Sequence, residues 1–239
     1  MATFVLVHGG GHGGWCYQPV ARLLRAAGHD VATPTLTGLG ERAGSLSADI
    51  DLDRHLADIT ALLFYEDLRE VILVGHSYGG MVITGVADRV PDRVRELVYL
   101  DAATPVNGQS LVDVAGPMMR AARAQSRMID GVELVLFPDG DEVRYYGVTD
   151  PGDYAWMVER LTPHPWKCFE QPLRLANEVA LQSIPQSHIV CKQTLATRDP
   201  ALLERARADG RLWIIDTGHD LMITEPQAVA DALVEIAAR

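Results

Sequence analysis

The sequence contains one serine whose neighbours could make it a nucleophile. Ser77 lies in Gly75-His76-Ser77-Tyr78-Gly79, after the apolar run at residues 71–74 and before a helix-compatible segment at residues 81–90. The two glycines let neighbouring backbone pass close to a strained strand-to-helix turn, from which the serine hydroxyl projects above a sheet edge. The N-terminus of the following helix suits a developing oxyanion. The spacing therefore indicates nucleophilic attack by serine on a carbonyl carbon.

A glycine-rich loop offers a second group for this chemistry. The apolar run at residues 3–7 is followed by His8-Gly9-Gly10-Gly11-His12, which lacks the lysine of a phosphate-binding loop and the later acidic residue of a dinucleotide site. A backbone N–H of such a loop can meet the N–H that follows the nucleophile and form an oxyanion hole. We assign these two donors to Gly10 and Tyr78, and we expect His8 and His12 to brace the loop.

A serine nucleophile needs a base, and the base needs a group that orients it. His219 follows the last predicted strand and precedes the last predicted helix, so it is the candidate base. Asp101 is the preferred acid because it ends the strand after the Ser77 helix, at the edge where the carboxyl ends of parallel strands meet. Asp199 is the alternative acid, although its place before Pro200 also suits a helix N-cap.

Along the chain, segments with the apolar pattern of a strand alternate with segments that have the periodicity of a helix. Short apolar runs predict strands at residues 3–7, 29–34, 71–74, 94–100, 188–191 and 211–215. Helical spacing of apolar residues predicts helices at 15–27, 52–63, 81–90, 200–208 and from about 226 onwards. This alternation predicts an α/β fold with a mostly parallel sheet flanked by helices.

The alternation is interrupted between residues 104 and 185. We predict that residues 104–185 form a cap inserted into a core made of residues 1–103 and 186–239. Within the cap we predict a helix at residues 118–128 and a hairpin that joins residues 132–137 to residues 143–146. The cap carries large apolar side chains that either line a pocket or form the cap's own core: Met118, Met119, Met128, Trp156, Trp166 and Phe169.

Composition narrows the class of protein. The chain of 239 residues is long enough for one large domain, and its apolar (48%) and charged (22%) fractions are typical of a soluble globular protein. A net charge of −11 argues against nucleic acid and anionic membranes as partners. Three cysteines lack metal-like spacing, and no leader or membrane-spanning run is present. We therefore predict a cytoplasmic protein with reduced thiols and no metal site.

Three stretches of the chain resemble the α/β-hydrolase superfamily: residues 4–15, residues 75–80 and residues 217–219. More narrowly, they are similar to the branch that holds plant methylesterases, plant hydroxynitrile lyases and bacterial pyrethroid-type carboxylesterases. The resemblance spans the chain and is weakest in the cap. It implies the α/β-hydrolase fold, a serine triad that needs no cofactor, a small cap and often a homodimer.

Two departures from that branch affect the predicted chemistry. The lyases have a threonine in the glycine-rich loop and a lysine after the catalytic histidine, where this chain has Gly9 and Asp220. A cation is therefore missing where cyanide would leave, which argues against cyanohydrin cleavage. The branch's usual aspartate after the cap is also absent, and Asp101 stands where relatives often have alanine. This suggests that the acid has moved to the earlier strand.

The residues and the resemblance together predict a serine carboxylic-ester hydrolase. Ser77, His219 and Asp101 would act on a small hydrophobic or aryl ester or lactone through an acyl-enzyme, with Gly10 and Tyr78 as oxyanion donors. One alternative is a lyase or a polyketide-tailoring enzyme, such as a lactone hydrolase or cyclase, on the same scaffold. Another is a small-ligand receptor with a vestigial triad. A haloalkane dehalogenase is excluded, because that chemistry needs a carboxylate nucleophile.

Overall fold

The structure is a computed structural model that describes residues 1–137 and 146–239. Its strands are β1 (Thr3–Val7), β2 (Asp30–Ala32), β3 (Val71–His76), β4 (Val94–Leu100), β5 (Arg127–Ile129), β6 (Val132–Val135), β7 (His164–Pro165), β8 (Gln186–Cys191) and β9 (Leu212–Ile215). Its α-helices are α1 (Gln18–Ala26), α2 (Leu52–Tyr65), α3 (Gly79–Arg89), α4 (Leu111–Val114), α5 (Gly116–Ala124), α6 (Pro151–Val158), α7 (Lys167–Glu170), α8 (Glu178–Ser183), α9 (Pro200–Ala208), α10 (Leu221–Thr224) and α11 (Pro226–Ala237). Short 3-10 helices lie at Gly14–Tyr17, Gly40–Ser45, Pro91–Arg93 and Leu195–Thr197.

The main sheet is parallel and carries helices on both faces. Its strand order is β2-β1-β3-β4-β8-β9, and each neighbouring pair is parallel. Successive side chains of a strand point to opposite faces, so β3 contributes apolar side chains to the hydrophobic core on each face of the sheet. Val71 and Leu73 pack with α2 and α3, whereas Ile72 and Val74 pack with α1 and α11. The predicted α/β fold with a mostly parallel sheet is confirmed.

The strand order reverses beside β1, and the reversal opens a crevice. The chain passes from β1 outward to β2 and then returns to the other side of β1 to form β3. The loops that follow β1 and β3 therefore diverge at the carboxyl edge of the sheet, where open α/β sheets bind ligands. The glycine-rich loop and Ser77 follow these two strands.

The predicted helices and strands of the core agree with the structure to within a few residues. α9 occupies Pro200–Ala208, the predicted range, because Asp199 caps its N-terminus and Pro200 fits the first turn. The last helix is preceded by the short α10, which the apolar pattern did not predict. Among the residues that the structure describes, no helix combines the length and the apolarity needed to cross a membrane.

Within residues 104–185 one prediction was wrong in part and another is not tested. The predicted helix at 118–128 ends at Ala124, and Met128 lies in β5. β6 pairs with β5 and with β7, whereas the predicted hairpin joined residues 132–137 to residues 143–146. Most of that second hairpin strand, residues 143–145, lies outside the described residues. The hairpin therefore stays a prediction. The pairing of β6 with β7 was not predicted, because it joins segments about thirty residues apart and no local pattern shows it.

Candidate active site

Ser77 lies on a sharp turn between β3 and α3. Its φ angle is +53°, in the left-handed region that favours glycine. The turn leaves no room for side chains at the flanking glycines: a Cβ on Gly75 would lie 2.5 Å from the carbonyl oxygen of Gly79, and one on Gly79 would lie 2.6 Å from that of Val7. The Ser77 carbonyl accepts hydrogen bonds from the N–H groups of Gly80 and Ala103, both at 3.0 Å. The turn thus holds a strained, half-buried serine at the crevice.

The candidate base and the preferred acid are in direct contact. His219 Nδ1 lies 2.5 Å from Asp101 Oδ2, and both side chains are buried. Asp101 follows β4 with a φ of +45°, and its N–H donates to the carbonyl of Ile189 at 2.7 Å. Because a carboxylate only accepts, Nδ1 carries the proton in this bond. The arrangement therefore directs the opposite ring nitrogen of His219 away from Asp101.

Asp101 remains charged although it is buried. Burial alone would raise the pKa of its carboxyl, but the hydrogen bond and charge of His219, the charge of Arg198 and the hydroxyl of Thr194 outweigh burial. The net pKa lies well below the usual range of an aspartate. An ionised Asp101 is the form that can hold His219 in one tautomer and stabilise an imidazolium.

Asp199, the alternative acid, has a different set of partners. It is exposed at the start of α9, and its Oδ1 accepts the N–H of Ala201 at 3.0 Å. This is the N-cap bond expected of an aspartate before a proline-initiated helix. The geometry thus joins Asp101, and not Asp199, to His219.

Two histidines brace the glycine-rich loop after β1. The Nδ1–H of His8 donates to the carbonyl of Gly9 at 2.8 Å, while its Nε2 accepts the N–H of Leu36 at 3.0 Å. Burial lowers the pKa of His8 to about 3, so its ring is neutral. His12 donates from Nδ1 to the carbonyl of Gly10 at 2.8 Å. Both histidines therefore fix peptide groups next to the predicted oxyanion donor Gly10.

Tyr78, the second predicted oxyanion residue, is held through its side chain. Its hydroxyl donates to His55 Nδ1 at 2.9 Å, and His55 Nε2 donates to the carbonyl of Thr37 at 3.0 Å. His55 lies on α2, and burial lowers its pKa to about 4, so it acts as a neutral acceptor. This link fixes the residue after Ser77, and sequence reasoning missed it because residues 55 and 78 belong to separate helical segments.

A second histidine–carboxylate pair lies beside the first. His12 Nε2 is 3.0 Å from Asp220 Oδ2, and both side chains are buried. His76, whose Nε2 donates to the carbonyl of His219 at 3.0 Å, also lies near Asp220 Oδ1, at 3.7 Å. The sequence placed Asp220 next to the candidate base but gave no sign of its partner, which is 208 positions earlier in the chain.

A cavity of about 170 Å³ opens onto these groups. One wall is formed by groups of the crevice: Gly10, His12, His76, Ser77, Tyr78 and His219. The rest is apolar and comes mainly from the predicted cap: Leu111, Met118, Met119, Ala122, Val135, Phe137, Tyr146 and Phe169. Of the six large apolar residues singled out in the sequence, Met118, Met119 and Phe169 line this cavity. Met128 is exposed, Trp156 packs against Trp15, and Trp166 is buried under Arg123.

One cluster within the described ranges, 1–137 and 146–239, has the residue types of a metal site. Ligand atoms of His55, His164 and Cys168 lie within 4.8 Å of one another. However, His55 Nδ1 already accepts the hydroxyl of Tyr78, and His164 Nδ1 accepts the N–H of Gly11 at 3.3 Å. A neutral His164 then carries its proton on Nε2, which removes that atom as a ligand. The hydrogen bonds of the protein therefore use the Nδ1 atoms of both histidines, while the buried Nε2 of His164 has no hydrogen-bond partner among the described residues.

Comparisons with known proteins show which proteins the chain is similar to. Residues 4–232 match the family model described as the alpha/beta hydrolase family. The chain is 37% identical over 250 residues to a carbendazim hydrolyzing esterase of Nocardioides sp. (strain SG-4G), a match that covers 99% of this chain and 100% of that protein. It is 27% identical to methylesterase 2 of Arabidopsis thaliana, with 98% and 95% covered. A solved extracellular alpha/beta-hydrolase from a Paenibacillus species shares the fold, with a TM-score of 0.79 at 24% identity over 98% of both chains.

Proposed function

The chain belongs to the alpha/beta hydrolase family, and we propose that it is a serine carboxylesterase that hydrolyses small hydrophobic or aryl esters or lactones. The observation that carries the proposal is the contact of His219 with Asp101 at 2.5 Å, beside a mainly apolar cavity that both Ser77 and His219 line. A nucleophile, a base and an orienting carboxylate are the groups that acyl transfer requires. The named relatives, an esterase and a methylesterase, favour the same reaction.

The proposed reaction has two halves. His219 removes the proton of Ser77 as the serine oxygen attacks the ester carbonyl, and the N–H groups of Gly10 and Tyr78 stabilise the oxyanion. His219 then gives its proton to the departing alkoxide, which leaves as the alcohol and yields the acyl-enzyme. Water repeats these steps and releases the acid, while Asp101 holds the tautomer of His219 throughout.

The bracing of the glycine-rich loop supports Gly10 as an oxyanion donor. The carbonyl of Gly9 and the N–H of Gly10 belong to one peptide group, and in a trans peptide they point in opposite directions. Because His8 holds that carbonyl, the N–H of Gly10 is turned away from His8. Gly10 also lines the cavity. A donor fixed before the substrate arrives needs no reorganisation during the reaction.

The walls of the cavity support a small and largely apolar substrate. A volume of about 170 Å³ lies below the range of roughly 300–1,000 Å³ that is usual for ligand pockets. Phe169 stacks on His164 and packs edge-on against Tyr78, with ring centroids 4.3 and 5.3 Å apart, and so forms a rigid wall close to the oxyanion site. The wall would place a flat acyl or alkoxy group next to Ser77.

The predicted division into a core (1–103 and 186–239) and a cap (104–185) remains part of this proposal. The small antiparallel sheet of β5, β6 and β7 and the apolar wall of the cavity support it. A cytoplasmic location is supported by Cys16, Cys168 and Cys191, which are buried and form no disulfide. A homodimer is the expected assembly, and light scattering of the purified protein measures it.

The experiment is hydrolysis of a panel of p-nitrophenyl esters, methyl aryl esters, aryl lactones and carbendazim by wild type and by Ser77→Ala. We expect turnover of at least one small aryl ester, with a burst of alcohol equal to the enzyme concentration if hydrolysis of the acyl-enzyme is slow. Ser77→Ala should lower kcat by roughly a millionfold.

A matched control is Ser183→Ala, which removes an exposed hydroxyl that bonds to the carbonyl of Ala180 and should leave turnover unchanged. Ester turnover that survives in Ser77→Ala contradicts the proposed nucleophile. If wild type turns over no ester but binds small aryl ligands, the lyase or receptor interpretation replaces the esterase.

A further inference from the structure

Arg198 reaches Asp101 from the segment that joins β8 to α9. Its Nη2 lies 2.7 Å from Asp101 Oδ1 and donates to the Asp101 carbonyl at 2.9 Å, while Nη1 donates to the Ala102 carbonyl at 3.0 Å. The Arg198 side chain is 19% exposed and the Asp101 side chain is fully buried. One planar guanidinium therefore binds the carboxylate and the backbone that carries it.

Thr194 completes the surroundings of the same carboxylate oxygen. Its hydroxyl donates to Asp101 Oδ1 at 2.6 Å, and the N–H of Cys191 donates to this oxygen at 3.2 Å. Thr194 is buried, with 3% of its surface exposed. Asp101 Oδ1 is thus surrounded by donors from the end of β8 and the segment after it, whereas Oδ2 receives the Nδ1–H of His219 and lies 3.5 Å from the Cys191 thiol.

The backbone of Asp101 needs this support. A φ of +45° is uncommon for any residue other than glycine, and such conformations persist when the surroundings hold them in place. Here the N–H of Asp101 bonds to Ile189, and its carbonyl bonds to Arg198. Arg198 therefore acts on the two properties that an orienting carboxylate must have, a fixed position and a negative charge.

We propose that Arg198 and Thr194 are positioning residues of the catalytic site, which hold Asp101 ionised and in one rotamer so that Oδ2 is directed at His219. This inference rests on the esterase activity proposed above. Arg198 contributes charge and a forked set of donors, and Thr194 contributes a single short hydrogen bond. Neither residue touches the substrate cavity, so both act through Asp101.

The charge of Arg198 has a measurable consequence. A guanidinium close to the His219–Asp101 pair opposes the formation of an imidazolium, and Asp101 favours it. Removal of Arg198 should therefore move the acidic limb of kcat/KM to higher pH. Titratable groups of the described residues that also lie around this pair are His76, with its ring 4.6 Å from that of His219, Asp220 and His12, which contact each other, and the thiol of Cys191, 3.5 Å from Asp101 Oδ2. None of them changes in these variants.

The test compares Arg198→Met, Arg198→Lys and Thr194→Val with wild type in ester hydrolysis between pH 5 and pH 9. Arg198→Met should lower kcat by roughly 100-fold, as expected for misplacement of a catalytic group by about 1 Å, with KM within about twofold. The acidic limb of its pH profile should move to higher pH. Arg198→Lys should restore the pH of the acidic limb, because lysine is also positively charged. It should restore only part of kcat, because lysine lacks the forked donors of a guanidinium. Thr194→Val should lower kcat by about tenfold without moving the limb.

Arg205→Met is the matched control, since Arg205 is exposed on α9 and should change neither quantity. Far-UV circular dichroism and thermal melts establish that each variant is folded, and Thr194→Val, which keeps shape and charge, still tests the inference if Arg198→Met fails to fold. Wild-type kcat and an unmoved acidic limb in folded Arg198→Met, or unchanged kcat in Thr194→Val, would overturn the inference.

Failure of the proposed function is recognised separately. An alkyl fluorophosphonate labels an activated serine whatever the substrate, so labelling of wild type without ester turnover contradicts only the substrate class. In that case the labelling rates of the same variants replace kcat. If wild type is not labelled either, the low-field proton resonance of the His219–Asp101 hydrogen bond, compared between wild type and Arg198→Met, still decides whether Arg198 orders this bond.

Discussion

Two buried histidine–aspartate pairs lie side by side in this protein, and the histidine of one of them is also bonded to the glycine-rich loop. In the pair of His219 with Asp101, one ring nitrogen binds the carboxylate and the ring lines the substrate cavity. In the pair of His12 with Asp220, both ring nitrogens bind acceptors of the protein, the Asp220 carboxylate at 3.0 Å and the Gly10 carbonyl at 2.8 Å.

We propose that this second acceptor commits the His12 pair to the structure of the loop. Two acceptors require two donors, so His12 is an imidazolium whose protons are both committed to the protein. It cannot serve as a base without losing a bond that fixes the glycine-rich loop. One ring nitrogen of His219 binds Asp101, and the His219 ring lines the cavity that Ser77 also lines. Residue type and burial are the same in both pairs, and both histidines line the cavity, so the bond of His12 to the Gly10 carbonyl is the contact that we propose gives its pair a structural role.

The largest effect expected from this comparison is that of Asp101→Asn on turnover. An asparagine keeps the shape of the side chain but favours the wrong tautomer of His219, a change that lowers kcat by roughly 10,000-fold in a serine protease triad. Steady-state hydrolysis of an aryl ester measures it. Asp199→Asn is the control and should keep kcat within about twofold. A severe loss in Asp199→Asn with mild loss in Asp101→Asn would assign the acid to position 199.

Asp220→Asn should affect stability more than chemistry. The substitution breaks a buried ion pair and leaves His12 with a weaker partner, which we expect to lower the free energy of unfolding by about 3 kcal/mol. Urea denaturation followed by fluorescence measures this change. Asp216→Asn is the control, because Asp216 pairs with Lys192 at the surface and such pairs contribute less than about 1 kcal/mol. Equal stability of the two variants would show that the His12–Asp220 pair does not stabilise the fold.

The same pair predicts a smaller dependence of stability on pH. Burial lowers the pKa of His12, but the charge and hydrogen bond of Asp220 outweigh burial, so the net pKa in the folded protein is raised. The stabilisation is therefore complete below the pKa of an unfolded histidine, about 6.5, and is lost as the pH rises through the folded-state pKa. Between pH 6 and pH 9 the difference in unfolding free energy between wild type and Asp220→Asn should shrink, by about 1.4 kcal/mol for each unit by which the pKa is raised. A difference that stays constant over this range would contradict a charged His12.

The comparison also shows which parts of the molecule can be predicted from the sequence. Strands β1, β3 and β4 and helix α9 were predicted because apolar runs, an N-cap and a proline act over a few neighbouring residues. Ser77 and His219 were proposed for the same reason, since each stands at a recognisable place relative to a strand and a helix. Their catalytic roles remain predictions, which the geometry of the crevice supports.

The parts of the fold and of the candidate site that were not predicted depend on contacts between residues far apart in the chain. His12 and Asp220 are 208 positions apart, and Arg198 and Asp101 are 97 positions apart. No periodicity or short motif links such residues, so the sequence placed Asp220 beside the candidate base without indicating its partner. The absence of the usual aspartate after the cap was noted in the sequence, but only the fold shows that the Thr194 hydroxyl in this region binds Asp101. The β5–β6–β7 sheet was missed for the same reason.

Asp199→Ala should give the smallest effect and sharpen the distinction between the two candidate acids. The Asp199 carboxylate accepts the N–H of Ala201 at the start of α9, and loss of such a cap lowers stability by about 1 kcal/mol. Because Asp199 is exposed and has no described contact with His219, kcat should not change. Thermal denaturation and ester hydrolysis of Asp199→Ala and Asp199→Asn together test this, since asparagine is also a good N-cap and should retain stability. A fall in kcat for both variants, with stability retained in Asp199→Asn, would give Asp199 a role in catalysis that its position in this structure does not explain.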